Sequence, residues 1–343
     1  MEVDGAQRSG SGTILRMSVA FASILNEELH IYNIRKKRPQ PGLRPQHLEF
    51  VLVAAKLCNA EVRGAKIGSE ELWFKPSDVA GGTLEAEIGT AGSIPMLLLG
   101  VLPICAFAKG QVQIRIGKGG TDVRNSPTVN YLRYVLAPTL SEMGLEVGID
   151  VKSYGYYPVG MGDVTMRVQP ARNLRNVRLT EFGSVKEIRG VSVCTFLKER
   201  KVAERQAEAA KQLLGKEGYG AEVEVVYDTS NPIQKGSSVV LWAKTTTGAL
   251  LGGDSIGELR KSSEVVGKEA AQNLLDELRA GATVDVHLAD MLVPYAALAR
   301  GRSAYLARSM TEHLETNIWL AEELAGAKFA LEKSGNLYRI EKL

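Results

Sequence analysis

The pattern of apolar and polar positions predicts a chain in which helices and strands alternate. In the first quarter, helices are predicted over residues 13–26 and 45–59, and strands over 29–35, 60–68 and 71–76. From residue 83 the same order recurs, with strands predicted at 83–89, 112–119, 145–156 and 162–170 and helices at 93–108 and 127–144. This recurrence indicates a duplicated helix-on-sheet unit and an α/β fold.

The charge and the order of the predicted elements change between residues 181 and 280. A highly charged helix is predicted over 198–217, with strands before and after it and a second helix at 262–281, and these elements could form a compact α/β domain. The main body is predicted to resume near 281, where residues 284–301 begin with strand-like alternation and become helical. The last elements are predicted to be a hairpin over 327–343 that turns at Ser334, Gly335 and Asn336.

Composition is that of an ordinary soluble globular protein. The 343 residues are 45% hydrophobic and 24% charged, which suggests about two domains, and the net charge of +3 is too small to indicate nucleic acid by itself. The apolar run 94–108 is shorter than the roughly 20 residues of a spanning helix. The N-terminus resembles no targeting signal, so we expect a cytoplasmic protein with no membrane association.

The number and spacing of the cysteines also fit a cytoplasmic protein. Cys58, Cys105 and Cys194 are odd in number, widely spaced and set in apolar surroundings. This pattern matches neither a disulfide framework nor a zinc site. We expect three reduced core residues.

Positive charge is concentrated in the segment "IRKKRPQPGLRPQH". It contains no acidic residue, and three prolines prevent a regular helix. Its cations are Arg35, Lys36, Lys37, Arg38 and Arg44. The segment is therefore either a solvated basic loop or a loop that captures phosphate through guanidinium groups.

Two glycine-rich turns are candidates for nucleotide contacts, because the chain has no Walker phosphate-binding loop. The turn "DGAQRSGSGTILR" joins a predicted strand to a helix that carries Arg16, which would direct backbone N–H groups at an anion. Glycines at such a junction can also be present only because a tight strand-to-helix turn requires their backbone conformation. The turn "GKGGTDVRNSPTVNY" brings Asp122, Pro127 and Tyr131 together, either to sandwich a base or to pack the loop.

Two histidines stand out near the C-terminus. In "HLADM", His287 and Asp290 would share one face of a helix, where a capping or core histidine is the ordinary alternative. In "SMTEHLETNIWL", His313 lies beside an apolar stripe of Met310, Leu314, Ile318 and Ala321. His313 is either the solvated edge of this amphipathic helix or an imidazole poised as a nucleophile or proton carrier near neutral pH.

Taken together, these stretches resemble the RNA 3′-terminal phosphate cyclase family. The resemblance runs in order along nearly the whole chain. It is carried by "VDGAQRSGSGTILR", "IRKKRPQPGLRPQHL", "GTAGS", "GGTDVRNSP", "YYPVGMG", "HLAD" and "HLETNI".

The resemblance implies a fold and a reaction. The fold would be a main body of three repeated βαβαββ units, residues 1–180 and 281–343, with an inserted thioredoxin-like α/β domain at 181–280. In the reaction, a histidine attacks the α-phosphorus of ATP, AMP passes to an RNA 3′-phosphate, and the 2′-OH closes a 2′,3′-cyclic phosphate. Such phosphoryl transfer usually requires a divalent cation, Mg²⁺ or Mn²⁺.

The resemblance also assigns residues. His313 falls on the position of the nucleophile, and Arg35, Arg38 and His47 fall on positions suited to the substrate phosphates. The positions that it implies for the nucleotide are Arg16, Leu99, Pro127, Tyr131, His287, Leu288, Ala289, Asp290 and Met291. The partners implied are ATP and RNA that ends in a 3′-phosphate, and assembly into a homo-oligomer is left open.

Three departures from the family pattern affect these expectations. Ser9 stands where many members carry a glutamate that helps to hold the metal, so the metal ligands are unknown and Asp290 or Asp122 would have to serve electrostatically. Leu99 and Met291 replace two glutamines that are usual near the nucleotide. The alternatives are a non-catalytic RNA-binding relative active in ribosomal RNA processing, against which His313 argues, and an enolpyruvyl transferase built on a related unit.

Overall fold

A computed structural model describes residues 1–171, 173–231 and 233–343 of the chain. Its described residues form mixed sheets covered by helices, which confirms the α/β class. All three cysteines are unpaired and buried, as expected from their apolar surroundings. The helices and strands are numbered below in chain order.

The first sheet comes from the first 75 residues. Its strands are β1 (Glu2–Asp4), β2 (Leu29–Tyr32), β3 (Glu61–Arg63) and β4 (Leu72–Lys75), and its helices are α1 (Gly12–Leu25) and α2 (Pro45–Leu57). The strand order is β1-β2-β4-β3, in which β1 and β2 are parallel and the other neighbours are antiparallel. Helix α1 is buried along most of its length because apolar or small side chains occupy all of its faces.

The second sheet repeats this arrangement. Its strands are β5 (Gly82–Glu87), β6 (Val112–Gly119), β7 (Glu146–Ser153) and β8 (Gly162–Gln169), in the order β5-β6-β8-β7. Helix α3 (Ile94–Ala106) follows β5, and the helix predicted over 127–144 is divided into α4 (Val129–Tyr131), a π-helical segment (Leu132–Leu136) and α5 (Ala137–Glu142). Again only the first pair of strands is parallel.

The next elements build a separate sheet. After β9 (Arg178–Leu179) come β10 (Val185–Thr195), α6 (Val202–Lys216), β11 (Glu222–Asp228), β12 (Gly236–Thr245), β13 (Leu250–Ile256) and α7 (Ser263–Ala280). Strands β10 to β13 pair in the order β11-β10-β12-β13, and α6 and α7 pack together on this sheet. Val191, Val193 and Val240 of the sheet join the large hydrophobic core of the rest of the chain, so the sheet also packs against its neighbours.

The last sheet contains β9, β14 (Ser303–Ala307), β15 (Phe329–Ser334) and β16 (Leu337–Lys342), with helices α8 (Val286–Met291), α9 (Val293–Leu298) and α10 (Glu312–Ala325). The order β9-β14-β16-β15, with β9 and β14 parallel, matches that of the first two sheets. This common order is what repeated units require, whereas the proposed domain boundaries and the thioredoxin-like topology stay predictions. The terminal hairpin is confirmed, with Gly335 at positive φ in its turn.

The strand-like start predicted at 284 is wrong. Val284, Val286 and Leu288 alternate as in a strand, but the Asp285 carboxylate accepts hydrogen bonds from the backbone N–H groups of His287 and Leu288 and caps α8. The cap therefore decides the conformation. The short strand β14 was not predicted.

Candidate active site

The N-termini of the first and last helices meet at one place. Ser11 caps α1 by accepting from the N–H of Thr13, and Thr311 caps α10 by accepting from the N–H of Leu314. His313 lies in the first turn of α10 with its side chain exposed. Its Nδ1 is 3.2 Å from Oγ1 of Thr13. Residues 300 positions apart in sequence are thus in contact because α1 packs against α10.

A buried arginine lies under this contact. Nη2 of Arg16 donates to Oγ1 of Thr13 at 3.3 Å. Burial lowers the pKa of Arg16 to about 10 while the Asp290 carboxylate opposes the shift, so the guanidinium remains charged at neutral pH. A Cβ added to Gly12 would lie 3.0 Å from Nη1 of Arg16, and one added to Gly100 would lie 3.0 Å from its Cδ. The two glycines therefore allow the backbone to close around the arginine.

The His313 imidazole is held neutral. The pKa of His313 is lowered, first by burial of part of the ring and then by the positive charges of Arg16 and Arg38; the negative charge of Glu312 opposes this shift only in part. Among the described residues, Thr13 is the one hydrogen-bond partner of the ring. Since Nδ1 is occupied, Nε2 is the nitrogen left to face an incoming group.

A second neutral histidine approaches the same turn. His47 is buried, and its Nδ1 accepts from the backbone N–H of Arg44 at 3.3 Å. Burial first, and then Arg16, Arg35 and Arg44, lower the pKa of His47 to about 2. A neutral imidazole that accepts at Nδ1 carries its proton at Nε2, and this atom faces Gly12.

The basic loop packs on the glycine-rich turn. Arg38 donates to the carbonyl of Ser9 at 3.3 Å, and Lys37 donates to the carbonyl of Arg8 at 3.1 Å. Arg35 donates to the carbonyls of Gln40 and Gly42, at 2.7 and 2.8 Å, so part of its hydrogen-bonding capacity holds its own loop. Two segments predicted to contact phosphate are therefore adjacent.

An acidic cluster surrounds His287. The Asp285 carboxylate accepts from the hydroxyl of Tyr131 at 2.7 Å and from the N–H of Gly252 at 2.8 Å, besides capping α8. Burial alone would lower the pKa of His287, but Asp285, Asp254 and Asp290 outweigh it and the pKa is raised. The ring meets Tyr131 edge-on, with ring centroids 6.2 Å apart.

His287 also opens onto a cavity of about 140 Å³. The residues that line it are Gly252, Gly253, Asp254, Asn273, Glu277, Asp285, Val286, His287 and Arg308. Ligand pockets typically enclose about 300–1,000 Å³, so this cavity would hold only one end of a nucleotide. A larger cavity of about 440 Å³, between α5 and strands β7 and β8, contains none of the predicted site residues.

Helix α10 is joined to α8 by an amide. Asn317, one turn after His313, donates from Nδ2 to the carbonyl of Asp290 at 2.9 Å. This bond places the two histidine-bearing helices in a fixed relation, since His287 lies in the first turn of α8. Burial raises the pKa of the Asp290 carboxyl to about 7.

Several residues predicted to contact the nucleotide are buried in the protein core or half-buried. Leu288, Ala289 and Tyr131 are fully buried and Met291 is nearly so, while Leu99 and Pro127 are half-buried. The ring of Tyr131 is closed to solvent, so in this conformation a base cannot stack on it.

Sequence reasoning missed Thr13, Asp254, Glu277, Asp285, Arg308 and Asn317. Thr13 and Asn317 lie inside the quoted motifs, next to Arg16 and His313, and their spacing along the helices was the available signal. Asp285 lies two residues before His287, where an aspartate at a helix start is a capping signal. Asp254, Glu277 and Arg308 are brought in by distant elements and carry no local pattern.

The described residues do not fit a protein-built metal centre. Across residues 1–171, 173–231 and 233–343, no group of three or more His, Cys, Asp or Glu side chains is placed to hold a metal ion. The two carboxyls suggested as substitutes for the missing glutamate, Asp122 and Asp290, both have a pKa raised by burial to about 7, which weakens them as cation ligands.

Comparison with known proteins gives one family. The RNA 3′-terminal phosphate cyclase family matches residues 7–331. The chain is 45% identical over 341 residues to the RNA 3′-terminal phosphate cyclase of Pyrobaculum neutrophilum, covering 99% of this chain and 97% of that protein. It is 40% identical over 343 residues to the protein of the same name from Methanosarcina barkeri, covering 99% of each. The chain belongs to the RNA 3′-terminal phosphate cyclase family.

One solved structure was also compared with this chain. The solved structure of an EPSP synthase from Acinetobacter baumannii covers 99% of this chain and 64% of that one at 9% identity and a TM-score of 0.24, a similarity too low to support any conclusion. Within the part of the chain that the structure describes, no helix has both the length and the apolar character needed to cross a membrane.

Proposed function

We propose that this chain converts an RNA 3′-terminal phosphate to a 2′,3′-cyclic phosphodiester, using ATP and a covalent adenylate on His313. The observation that carries the proposal is the state of the His313 ring. It is exposed, its pKa is lowered, and its Nδ1 is 3.2 Å from Oγ1 of Thr13 beside the charged Arg16. A neutral imidazole with one nitrogen held and the other open is suited to nucleophilic attack.

The first step joins the histidine to AMP. The Nε2 lone pair of His313 forms a bond to the α-phosphorus of ATP while the bond from that phosphorus to the bridging oxygen breaks, and pyrophosphate leaves with the electron pair. Arg16, which donates to the same Thr13 oxygen that contacts the His313 ring, would stabilise the negative charge that develops on the phosphates. The cavity beside His287 would take one end of the nucleotide.

The next two steps act on the RNA. An oxygen of the 3′-phosphate forms a bond to the adenylate phosphorus while the bond from that phosphorus to Nε2 of His313 breaks. The electron pair of the broken bond returns to Nε2, so His313 leaves as a neutral imidazole. The ribose 2′-OH then attacks the activated 3′-phosphorus, gives up its proton and expels AMP. We assign the RNA phosphate to Arg38, Arg35 and the Nε2–H of His47. Arg38 contacts the turn before α1, His47 faces Gly12 at its first residue, and the positive charge of Arg35 acts on both Arg16 and His47.

A divalent cation, Mg²⁺ or Mn²⁺, would accompany the phosphates of ATP. The described carboxylates do not form a cage for it. Magnesium is commonly bound through substrate phosphates and retained waters with few protein ligands. No step above depends on a protein-bound metal.

The test of the first step is covalent labelling with ATP that is radioactive at its α-phosphate, in the presence of Mg²⁺. We expect wild type to acquire a label that is labile to acid and stable to alkali. His313→Ala should acquire none, and its free energy of unfolding should change by less than about 1 kcal/mol because the side chain is exposed. His30→Ala is the matched control, since His30 is a partly exposed histidine on β2 that pairs with Glu71.

Three outcomes would contradict the proposal. A labelled His313→Ala protein would move the nucleophile elsewhere, with His287 the next candidate. A wild-type protein that stays unlabelled but binds RNA would favour the non-catalytic RNA-binding function. Turnover with phosphoenolpyruvate would favour the enolpyruvyl transferase.

The assignment of the RNA phosphate is tested with Arg38→Ala. We expect this change to reduce cyclisation of 3′-phosphorylated oligonucleotide more than it reduces adenylylation. Equal damage to both steps would place Arg38 at the ATP instead. Measuring the two steps separately, by single-turnover labelling and by transfer from pre-adenylylated protein, distinguishes these results.

A further inference from the structure

We propose that Thr13 is a positioning residue for His313. Its hydroxyl orients the ring so that Nε2 faces the phosphorus, and it accepts a hydrogen bond from the Nδ1–H as positive charge develops on the ring. This inference rests on the proposed function of His313. Thr13 touches neither ATP nor RNA in the scheme above. It acts through the imidazole and through Arg16.

The direction of the Arg16 bond follows from the donor inventory, whereas that of the imidazole bond depends on which ring nitrogen carries the proton. A guanidinium has only donors, so the 3.3 Å contact from Nη2 of Arg16 must be accepted by Oγ1 of Thr13. A hydroxyl oxygen has two acceptor positions, and Nδ1 of His313 lies at 3.2 Å, where it can use the second. One oxygen is thus placed by a buried arginine and in turn orients the ring.

Thr13 itself is firmly held. It is 7% exposed, lies in the first turn of α1, and donates its backbone N–H to Oγ of Ser11 at 3.2 Å. Its β-branched side chain has few rotamers available in a helix. The oxygen that meets the imidazole is therefore fixed before any nucleotide arrives, which is the condition for effective preorganisation.

The interaction strengthens during the reaction. When the Nε2 lone pair of a neutral His313 bonds to phosphorus, the ring becomes cationic and must keep its proton on Nδ1. An N–H on a charged ring forms a stronger hydrogen bond than one on a neutral ring. Because the contact with Thr13 is stronger in the transition state than in the resting protein, it should increase the rate of adenylylation and leave ATP binding almost unchanged.

The experiment compares Thr13→Val, which removes the hydroxyl at nearly constant shape, with Thr13→Ser, which keeps it. Loss of a hydrogen bond to a charged group predicts that Thr13→Val slows single-turnover adenylylation by about 10- to 100-fold, with the KM for ATP within about threefold of wild type. Thr13→Ser should stay within about fivefold of the wild-type rate, the retained hydroxyl limiting the loss.

Thr139→Val is a matched control for the cost of deleting a buried threonine hydroxyl. The Thr139 hydroxyl on α5 donates to the carbonyl of Val135 at 2.8 Å and is also buried. This variant should lose stability to a degree similar to Thr13→Val while it retains the wild-type rate. If Thr139→Val is slowed as much as Thr13→Val, the effect is general destabilisation and the proposal fails.

A pH profile supplies a readout that a purely structural role would not move. Arg16, Arg38, His287 and Glu312 set the charge around His313 and are unchanged in Thr13→Val. Without the hydroxyl acceptor the protonated ring is less stable, so the acid limb of adenylylation should move to lower pH. An unmoved limb together with a rate within threefold of wild type would overturn the proposal.

Nitrogen-15 NMR of the His313 ring separates this proposal from the proposed function. The ring signals report the proton on Nδ1 without any nucleotide, and we expect them to differ between wild type and Thr13→Val. Wild type that stays unlabelled by ATP would refute the proposed function while these signals still test the contact. Identical ring signals in the two proteins would overturn the role of Thr13.

Discussion

Replacing Gly12 with alanine should damage the site more than the fold. A Cβ at Gly12 would lie 2.4 Å from Nε2 of His47 and 3.0 Å from Nη1 of Arg16, whereas ordinary contacts begin near 3.4 Å. His47 would therefore have to move by about 1 Å. It is buried and its Nδ1 is held by the N–H of Arg44, so little space is available.

The magnitude follows from opposing effects. Overpacking typically costs about 1–3 kcal/mol, and replacing glycine by alanine in a helix returns up to about 1 kcal/mol. We therefore expect Gly12→Ala to lose about 0–3 kcal/mol of stability. A 1 Å displacement of groups that position the reactants can reduce the rate by about 10²-fold. The loss of activity should thus exceed the loss of folded protein.

Adenylylation and urea unfolding measured on the same preparations test this expectation. The control is Gly215→Ala in α6, where an added Cβ meets nothing within 4 Å. It should gain about 0.5–1 kcal/mol of stability and label at the wild-type rate. A Gly12→Ala protein that labels at the wild-type rate would refute the reasoning, because it would mean that the α1 turn, His47 and Arg16 can relax without affecting the site.

Two further predictions concern charge. Burial, Arg16 and Arg38 lower the pKa of His313, so the rate of adenylylation should remain constant as pH falls through 6.5 and decline only below it. Arg38→Ala should raise the pKa of His313 and move this decline to higher pH. A pH–rate profile of both proteins would detect the difference. Arg308→Leu removes the ion-pair partner of the buried Glu277, 2.8 Å away, and should cost about 3 kcal/mol at pH 8 by urea unfolding. Burial raises the pKa of Glu277 to about 7 in wild type, and removing Arg308, which lowers it, should raise it further. The folded variant then takes up the Glu277 proton at a higher pH than folded wild type, so the loss should shrink as pH falls toward 7 and stay constant below it. A pH-independent loss would contradict this account.

The periodic part of the fold could be predicted from sequence, and the irregular part could not. Helix α10 was predicted from its stripe, of which Leu314, Ile318 and Ala321 are buried. Strand β14 was missed because it has only five residues, although Gly301, at positive φ, separates it from α9. The start of α8 depended on one carboxylate, Asp285, whose capping bonds override a strand-like alternation.

The candidate site residues were chosen by motif, and their assignment stays a prediction, whereas their spatial arrangement could not be predicted. The position of His313 in "HLETNI" and the basic loop were visible in the sequence. That Thr13 holds the imidazole, and that Arg38 reaches the Ser9 carbonyl, depends on the packing of α1 on α10 and of the loop on the turn. Local spacing carries no information about contacts between such distant segments.

The meeting of the first and last long helices has a consequence for synthesis. Under the proposed function, a nascent chain would present its arginine-lined turn early, yet no adenylate could form until α10, which carries His313, has left the ribosome and docked on α1. Chemical competence is thereby delayed until almost the whole polypeptide is in place. If His313 carries the adenylate, molecules that end before α10 should acquire no label from ATP.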